Sequence, residues 1–162
     1  MIELQVGGLG FDPRNMSPLV LLRDQEEMNF LPIWIGVFEA SAIAMELQSV
    51  KPPRPMTHDL LLEFVDKLGG KLLKVVITDV KEGTFYANVE LEKDGKNMNI
   101  DARPSDAIAL AVRRHLPVFA TETVMMQAKL VNAEKDAEET KKFKDFIENM
   151  KPEDFTKYYK KD

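Results

Sequence analysis

The sequence predicts an α+β fold, and three observations carry that expectation. Apolar residues fall in short strand-like runs over the first third of the chain and again between residues 72 and 100. Between and after those runs the apolar period lengthens to that of a helix, near residues 37–49, 57–68 and 104–115. The strands come in groups joined by turns, not singly between helices. Mainly antiparallel pairing in a mixed sheet with inserted helices is therefore expected.

The first run, Ile2 to Phe11, mixes apolar residues with Gly7, Gly8 and Gly10, the mark of a bulge or a close backbone approach. Leu19-Val20-Leu21-Leu22 follows Pro18 and stops at the charged turn Arg23-Asp24-Gln25-Glu26-Glu27. Leu31-Pro32-Ile33-Trp34-Ile35 is a third short strand, ended by Gly36. In the helix that follows, Phe38, Ala42, Met45 and Ser49 share one side, and Pro52-Pro53 breaks it. A second helix opens with Thr57 as its expected cap and stops at Gly69-Gly70. Leu72–Ile77, Thr84–Glu92 and Met98–Ile100 are strands separated by Lys81-Glu82-Gly83 and by the hairpin signal Asp94-Gly95. Pro104 to His115 is a third helix, Pro117 to Ala120 a last strand, and Val124 to Leu130 a short helix. From Ala133 the chain becomes highly charged. Ala137, Phe143, Phe146, Ile147 and Met150 form a narrow stripe on an expected C-terminal amphipathic helix, which Pro152 ends. The organisation expected is one α+β domain over residues 1–132 and a charged helical extension over 133–162.

Composition narrows the class of function. The 162 residues contain no cysteine, which excludes a disulfide framework, a thiolate metal site and a thiol nucleophile. The start, Met1-Ile2-Glu3-Leu4-Gln5, lacks the basic and apolar regions of a secretory signal, and no apolar run approaches a membrane span. A cytoplasmic protein without membrane contact is expected. Net charge is −5, divided as −4 before residue 133 and −1 after it, so the extension does not mask a basic core. Nucleic acid would have to be met by a local patch, or by a metal that offsets the carboxylates.

Two helix starts look alike. One reads Arg54-Pro55-Met56-Thr57-His58-Asp59-Leu60 and the other Arg103-Pro104-Ser105-Asp106-Ala107. Both follow Arg-Pro with a hydroxyl and an aspartate in the opening turn. Capping explains the aspartates, because unpaired backbone N–H groups and the positive end of the helix dipole favour a carboxylate there. The arginines need another reason, and a guanidinium beside a helix N-terminus is a natural phosphate site. Arg54, Arg103 and Ser105 are the candidate phosphate-binding residues. Asp101 and Asp106 flank Arg103 and could hold a divalent cation next to that phosphate. Glu39 lies seven residues before Glu46, so the two share a face of the first helix; Glu39 is a further candidate metal ligand. His58, beside Asp59, is the candidate general base. No Walker loop, dinucleotide-binding glycine motif, HExxH or GxSxG is present.

Taken in order, Leu31-Pro32-Ile33-Trp34-Ile35-Gly36 with Glu39-Ala40, then Arg54 to Leu60, then Asp101 to Ala107, resemble the bifunctional nuclease (BFN) domain family over roughly residues 1–130. That resemblance implies cleavage of DNA and RNA. With it, the chemistry of the residues points to a metal-dependent phosphodiesterase. Asp59, Asp101, Asp106 and Glu39 would hold Mg²⁺ or Mn²⁺, Arg54 and Arg103 would clamp phosphate, and His58 or a metal-bound water would act as base or nucleophile. The alternative is a non-enzymatic module that holds an anion, a nucleotide or an acidic peptide at the same helix starts. A homodimer is expected, because the terminal amphipathic stripe calls for a partner.

Overall fold

A computed structural model describes residues 1–134, with Asp145 and Asn149 beyond them. Its strands are β1 (Ile2–Asp12), β2 (Ser17–Asp24), β3 (Phe30–Trp34), β4 (Lys71–Lys81), β5 (Thr84–Lys93), β6 (Lys96–Ala102) and β7 (Val118–Ala120). Its helices are α1 (Val37–Leu47), α2 (Thr57–Lys67), α3 (Pro104–Arg114) and α4 (Glu122–Glu134). The seven strands form one sheet in the order β3-β2-β1-β7-β4-β5-β6. Every pairing is antiparallel except β4 with β7. The α+β expectation stands, and three-residue β7 is the link that fuses the two antiparallel halves.

Local chemistry explains the elements. Gly8, with φ of 136°, sits at the register shift between Val6 and Gly8 where β1 bulges against β2. β2 reads as a continuous apolar run because Pro18 to Leu22 are buried on both faces. The middles of β4 and β5 alternate instead, and two cross-strand rows floor the core. One runs Leu4, Val118, Val75, Val89; the other runs Ile2, Ala120, Ile77, Ala87, Ala102. The α1 and α3 helices pack over these rows with Ala40, Ile43, Ala107, Ile108 and Ala111 buried. Their alanines let the helices approach the sheet closely. The α4 helix is longer than the expected Val124–Leu130, because Thr121 Oγ1 accepts from Val124 N–H at 3.3 Å and starts it at Glu122. The expected charged helix after Ala133 lies, beyond Glu134, outside the described residues except for Asp145 and Asn149.

One buried cation fixes the three site-bearing helices. The Arg113 side chain is 8% exposed. Its Nε donates to Asp59 Oδ1 at 2.8 Å on α2, its Nη2 to Ala42 O at 3.1 Å on α1, and its Nη1 to Ala109 O at 2.9 Å on its own helix. Burial pushes the Asp59 carboxyl up, but bonds from Arg113 and from Met56 N–H, with the charges of Arg113 and His58, outweigh it and hold it below the usual carboxylate range. Replacing Arg113 by methionine should cost roughly 3 kcal/mol, the low end for breaking a buried pair, because Asp59 keeps some solvent. A carboxyl with a depressed folded pKa stabilises above its unfolded value and loses that contribution as pH falls. The part of the deficit carried by Asp59 should therefore be full above about pH 5 and shrink below about pH 3.9. Denaturant melts of both proteins at several pH values measure it.

Candidate functional site

The N-termini of α1, α2 and α3 meet at one edge of the helical layer. Gly36 caps α1 in extended backbone without a side-chain bond. Any side chain there would collide with the carboxylate of Glu39, so the absence of a Cβ lets Glu39 fold back against the cap. Glu39 Oε1 accepts from Arg103 Nη2 at 2.7 Å. Arg103 is the cap residue of α3, followed by Pro104 at the first helical position. Its guanidinium also grips Asp106 Oδ2, with Nε at 2.9 Å and Nη2 at 2.8 Å. The other oxygen, Asp106 Oδ1, lies 2.9 Å from His58 Nε2, whose N–H donates to it. Glu39, Arg103, Asp106 and His58 thus form one chain of contacts drawn from all three helices. The guanidinium is held still more firmly protonated than usual, first by the bond to Glu39 and then by Asp106.

Exposure separates the roles along that chain. Arg103 is open to solvent and Asp106 is half-buried, whereas His58 is only 8% exposed. The helix start that was expected to present His58 as a base instead packs it inward behind Asp106. Asp59 does not join the group. Successive residues on a helix project about 100° apart, so His58 reaches the first turn of α3 while Asp59 turns to Arg113, seven residues on from Asp106. Asp59 also caps its own helix: Oδ2 accepts from Met56 N–H at 3.0 Å, and Met56 takes the cap position expected of Thr57. Arg54 lies with Asp59 and Arg113 along a separate groove of about 210 Å³, away from Arg103. Asp101 is exposed on β6 opposite Asn88. Ala102 and Ala87 share the helix-bearing face, so strand alternation puts Asp101 on the other one, away from Asp106.

The donor set decides how a metal would fit. No three His, Asp or Glu side chains gather at ligand spacing among the described residues. What exists is two carboxylates, Glu39 and Asp106, with Arg103 between them. That is too few for an all-protein cage. It does fit the habit of Mg²⁺ and Mn²⁺ of taking one or two carboxylates together with substrate phosphate oxygens.

Three features escaped the sequence. Arg113 reads there as one of two basic residues complementing a helix C-terminus; its spacing of seven from Asp106 was the available signal. Trp34 is fixed by a hydrogen bond from Nε1 to Asp12 Oδ2 at 3.1 Å, and Asp12 is 1% exposed. Phe85 approaches the same place from the β4–β5 turn. Neither of these two leaves a local signature.

Comparison with known proteins places the chain in a family. Residues 20–133 match the family described as the bifunctional nuclease domain. An uncharacterized protein of Mycobacterium tuberculosis is 40% identical over 164 residues, covering 96% of this chain and 98% of that protein. Bifunctional nuclease 1 of Arabidopsis thaliana is 29% identical over 105 residues, and Bifunctional nuclease 1 of Oryza sativa subsp. japonica 26% over 103. Each covers 62% of this chain, which in turn spans about a third of those plant proteins, 32% and 31% of their lengths. The three helix starts that build the site all fall inside the matched region, and the chain belongs to the bifunctional nuclease domain family.

Proposed function

We propose that the chain hydrolyses phosphodiester bonds of nucleic acid at the Glu39–Arg103–Asp106–His58 group. The observation that carries this reading is Arg103, an exposed guanidinium that bridges two carboxylates beside an uncapped helix N-terminus. In the resting site its charge is spent on Glu39 and Asp106. A substrate phosphate offers bidentate oxygens in the same geometry and competes for the guanidinium. As Arg103 turns to the phosphate, it releases Glu39 and Asp106. Asp106, held in orientation by His58 at its other oxygen, then takes a proton from the attacking water. The water oxygen bonds to phosphorus as the phosphorus–oxygen ester bond breaks, and the departing oxygen takes a proton from solvent. His58 acts through Asp106 and so is a positioning residue. Glu39 and Asp106 would be the residues to hold Mg²⁺ or Mn²⁺, which would supply neutralisation of charge on the phosphoryl oxygens. The acidic net charge does not oppose this, because the contact is local and Arg103 offsets one of the two carboxylate charges at rest.

Purified protein should cleave single-stranded DNA and RNA with Mg²⁺ or Mn²⁺ and lose activity in chelator. Asp106→Asn should lower the rate by about 10²–10⁴ while the circular dichroism is unchanged, since Asp106 makes no cap bond and its pair with exposed Arg103 contributes little to stability. Cleavage that persists in Asp106→Asn and in chelator, or none in wild type with either metal, would contradict the reading. Arg103→Ala should weaken substrate binding by about 1.5–3 kcal/mol, an effect that shrinks as salt rises.

We further propose a homodimer joined through β6. Among the described residues this strand ends the sheet with one edge unpaired. Antiparallel pairing about Asn99 would set Met98 against Ile100 of a second copy, on the face that carries α2. On α2 and its C-cap, Leu61, Phe64 and Leu68 form one exposed apolar stripe at helical spacing, Phe64 being 56% exposed. Light scattering should report a dimer at micromolar concentration and a monomer for the double variant Ile100→Lys, Phe64→Asp. A wild-type monomer would refute it.

A further inference from the structure

Next to the Arg103 group lies a cleft of about 370 Å³, lined by Arg103 but not by His58. The size suits one small ligand. Its walls come from three places: Trp34 and Gly36 at the β3–α1 junction, Phe85 beyond the β4–β5 turn, and Arg103 with Ser105 at the start of α3. Polar and apolar groups are segregated within it. On the α3 side neither the cap residue nor its neighbours supply a side-chain cap, and Pro104 has no N–H. The N–H groups of Ser105 and Asp106 are thus left for an outside acceptor. Ser105 is only 5% exposed, and its hydroxyl makes no hydrogen bond among the described residues although it lines the cleft. Its hydroxyl keeps some solvent in the cleft, where an entering acceptor can take the place of water. On the other side the walls are aromatic and aliphatic, and the indole of Trp34 is locked by its bond to buried Asp12.

We propose that this cleft binds a nucleoside monophosphate unit. Its phosphate lies at the α3 N-terminus against Arg103 and the Ser105 hydroxyl, and its base lies against Trp34 and Phe85. The choice of a nucleotide rests on the nuclease reading, which it deepens: the site takes hold of one unstacked nucleotide, so the substrate is a single strand or a frayed end. Phosphate at a helix start and a base on an aromatic wall are the two contacts by which single strands are held without base pairing.

Trp34 is the chain's single tryptophan, so its fluorescence reports the cleft directly. The full-length protein is titrated without metal, so that nothing is cleaved, with adenosine monophosphate, uridine monophosphate, adenosine, inorganic phosphate and a short oligothymidylate. Both monophosphates and the oligonucleotide should change Trp34 emission saturably, and adenosine and phosphate should bind at least about tenfold more weakly, each lacking one of the two contacts. Ser105→Ala should weaken monophosphate binding about three- to tenfold, and Phe85→Ala about tenfold, with unchanged circular dichroism. No saturable change with any nucleotide in the millimolar range overturns the proposal, as does equal affinity in both variants. Phosphate binding as tightly as the monophosphates also overturns it, leaving an anion site only. Free monophosphate binding without the oligonucleotide would exclude a strand as the source. Cleavage by wild type with a silent Trp34 would sink the cleft and spare the nuclease reading; nucleotide binding without cleavage would do the reverse.

Discussion

The site depends on the accommodation of one buried guanidinium. Arginine stays charged in a folded protein, so Arg113, at 8% exposure, must find acceptors or destabilise the core. It finds them on three helices at once: the carbonyls of Ala42 and Ala109 and the carboxylate of Asp59. The planar fork of its donors leaves α2 little freedom to rotate against α3. With Asp59 held, the preceding residue can only face the first turn of α3, and there His58 meets Asp106 at 2.9 Å. A cation two turns away thus sets the geometry of the candidate base, although it belongs to no cleft on that side.

The same logic of paired charge runs through the exposed half. Glu39, Arg103 and Asp106 alternate in sign along 2.7–2.9 Å contacts, and each carboxylate sits in the first turn of its helix, where the dipole favours it. Arg103 is the one exposed member, so it is the one that can change partners at small cost. In the proposed reading, a phosphate arriving at α3 would gain the guanidinium, the N–H groups of the first turn and the Ser105 hydroxyl. The carboxylates it displaced would be left facing it. Binding and unmasking would then be one event, which would give an acidic protein a way to meet an acidic polymer.

Much of the fold was legible because the sheet and helices keep their periods. Alternation marked β5, an apolar run marked β4, the Asp94-Gly95 signal placed the hairpin from β5 into β6, and Arg-Pro marked two helix starts. The pairing of β7 with β4 was not legible, since three residues carry no register of their own. Within the site, local chemistry flagged His58, Arg103, Asp106 and Glu39, which the structure brings together. It also flagged Asp101, whose proximity to Asp106 in the chain is undone by strand alternation, and Arg54, which lines the other groove. What the sequence could not show were contacts made across the fold: Arg113 to Asp59, and Asp12 to Trp34. Arg113 and its neighbour Arg114 look interchangeable along the chain. Only the helix face separates them, and Arg114 pairs instead with Asp66, at a more exposed position.

The dependence of the site on Arg113 can be read at His58 itself. The chain has two histidines, so a nitrogen-resolved NMR spectrum of the imidazoles is simple to assign, with His115 as internal reference. In the wild type the His58 ring should show a hydrogen-bonded Nε2 proton that disappears in Asp106→Asn. In Arg113→Met, at a temperature where the protein is still folded, that proton should be lost or broadened by exchange while the His115 signals stay in place. An unchanged His58 resonance in Arg113→Met would contradict the account, because the His58–Asp106 contact would then form without the clamp said to impose it.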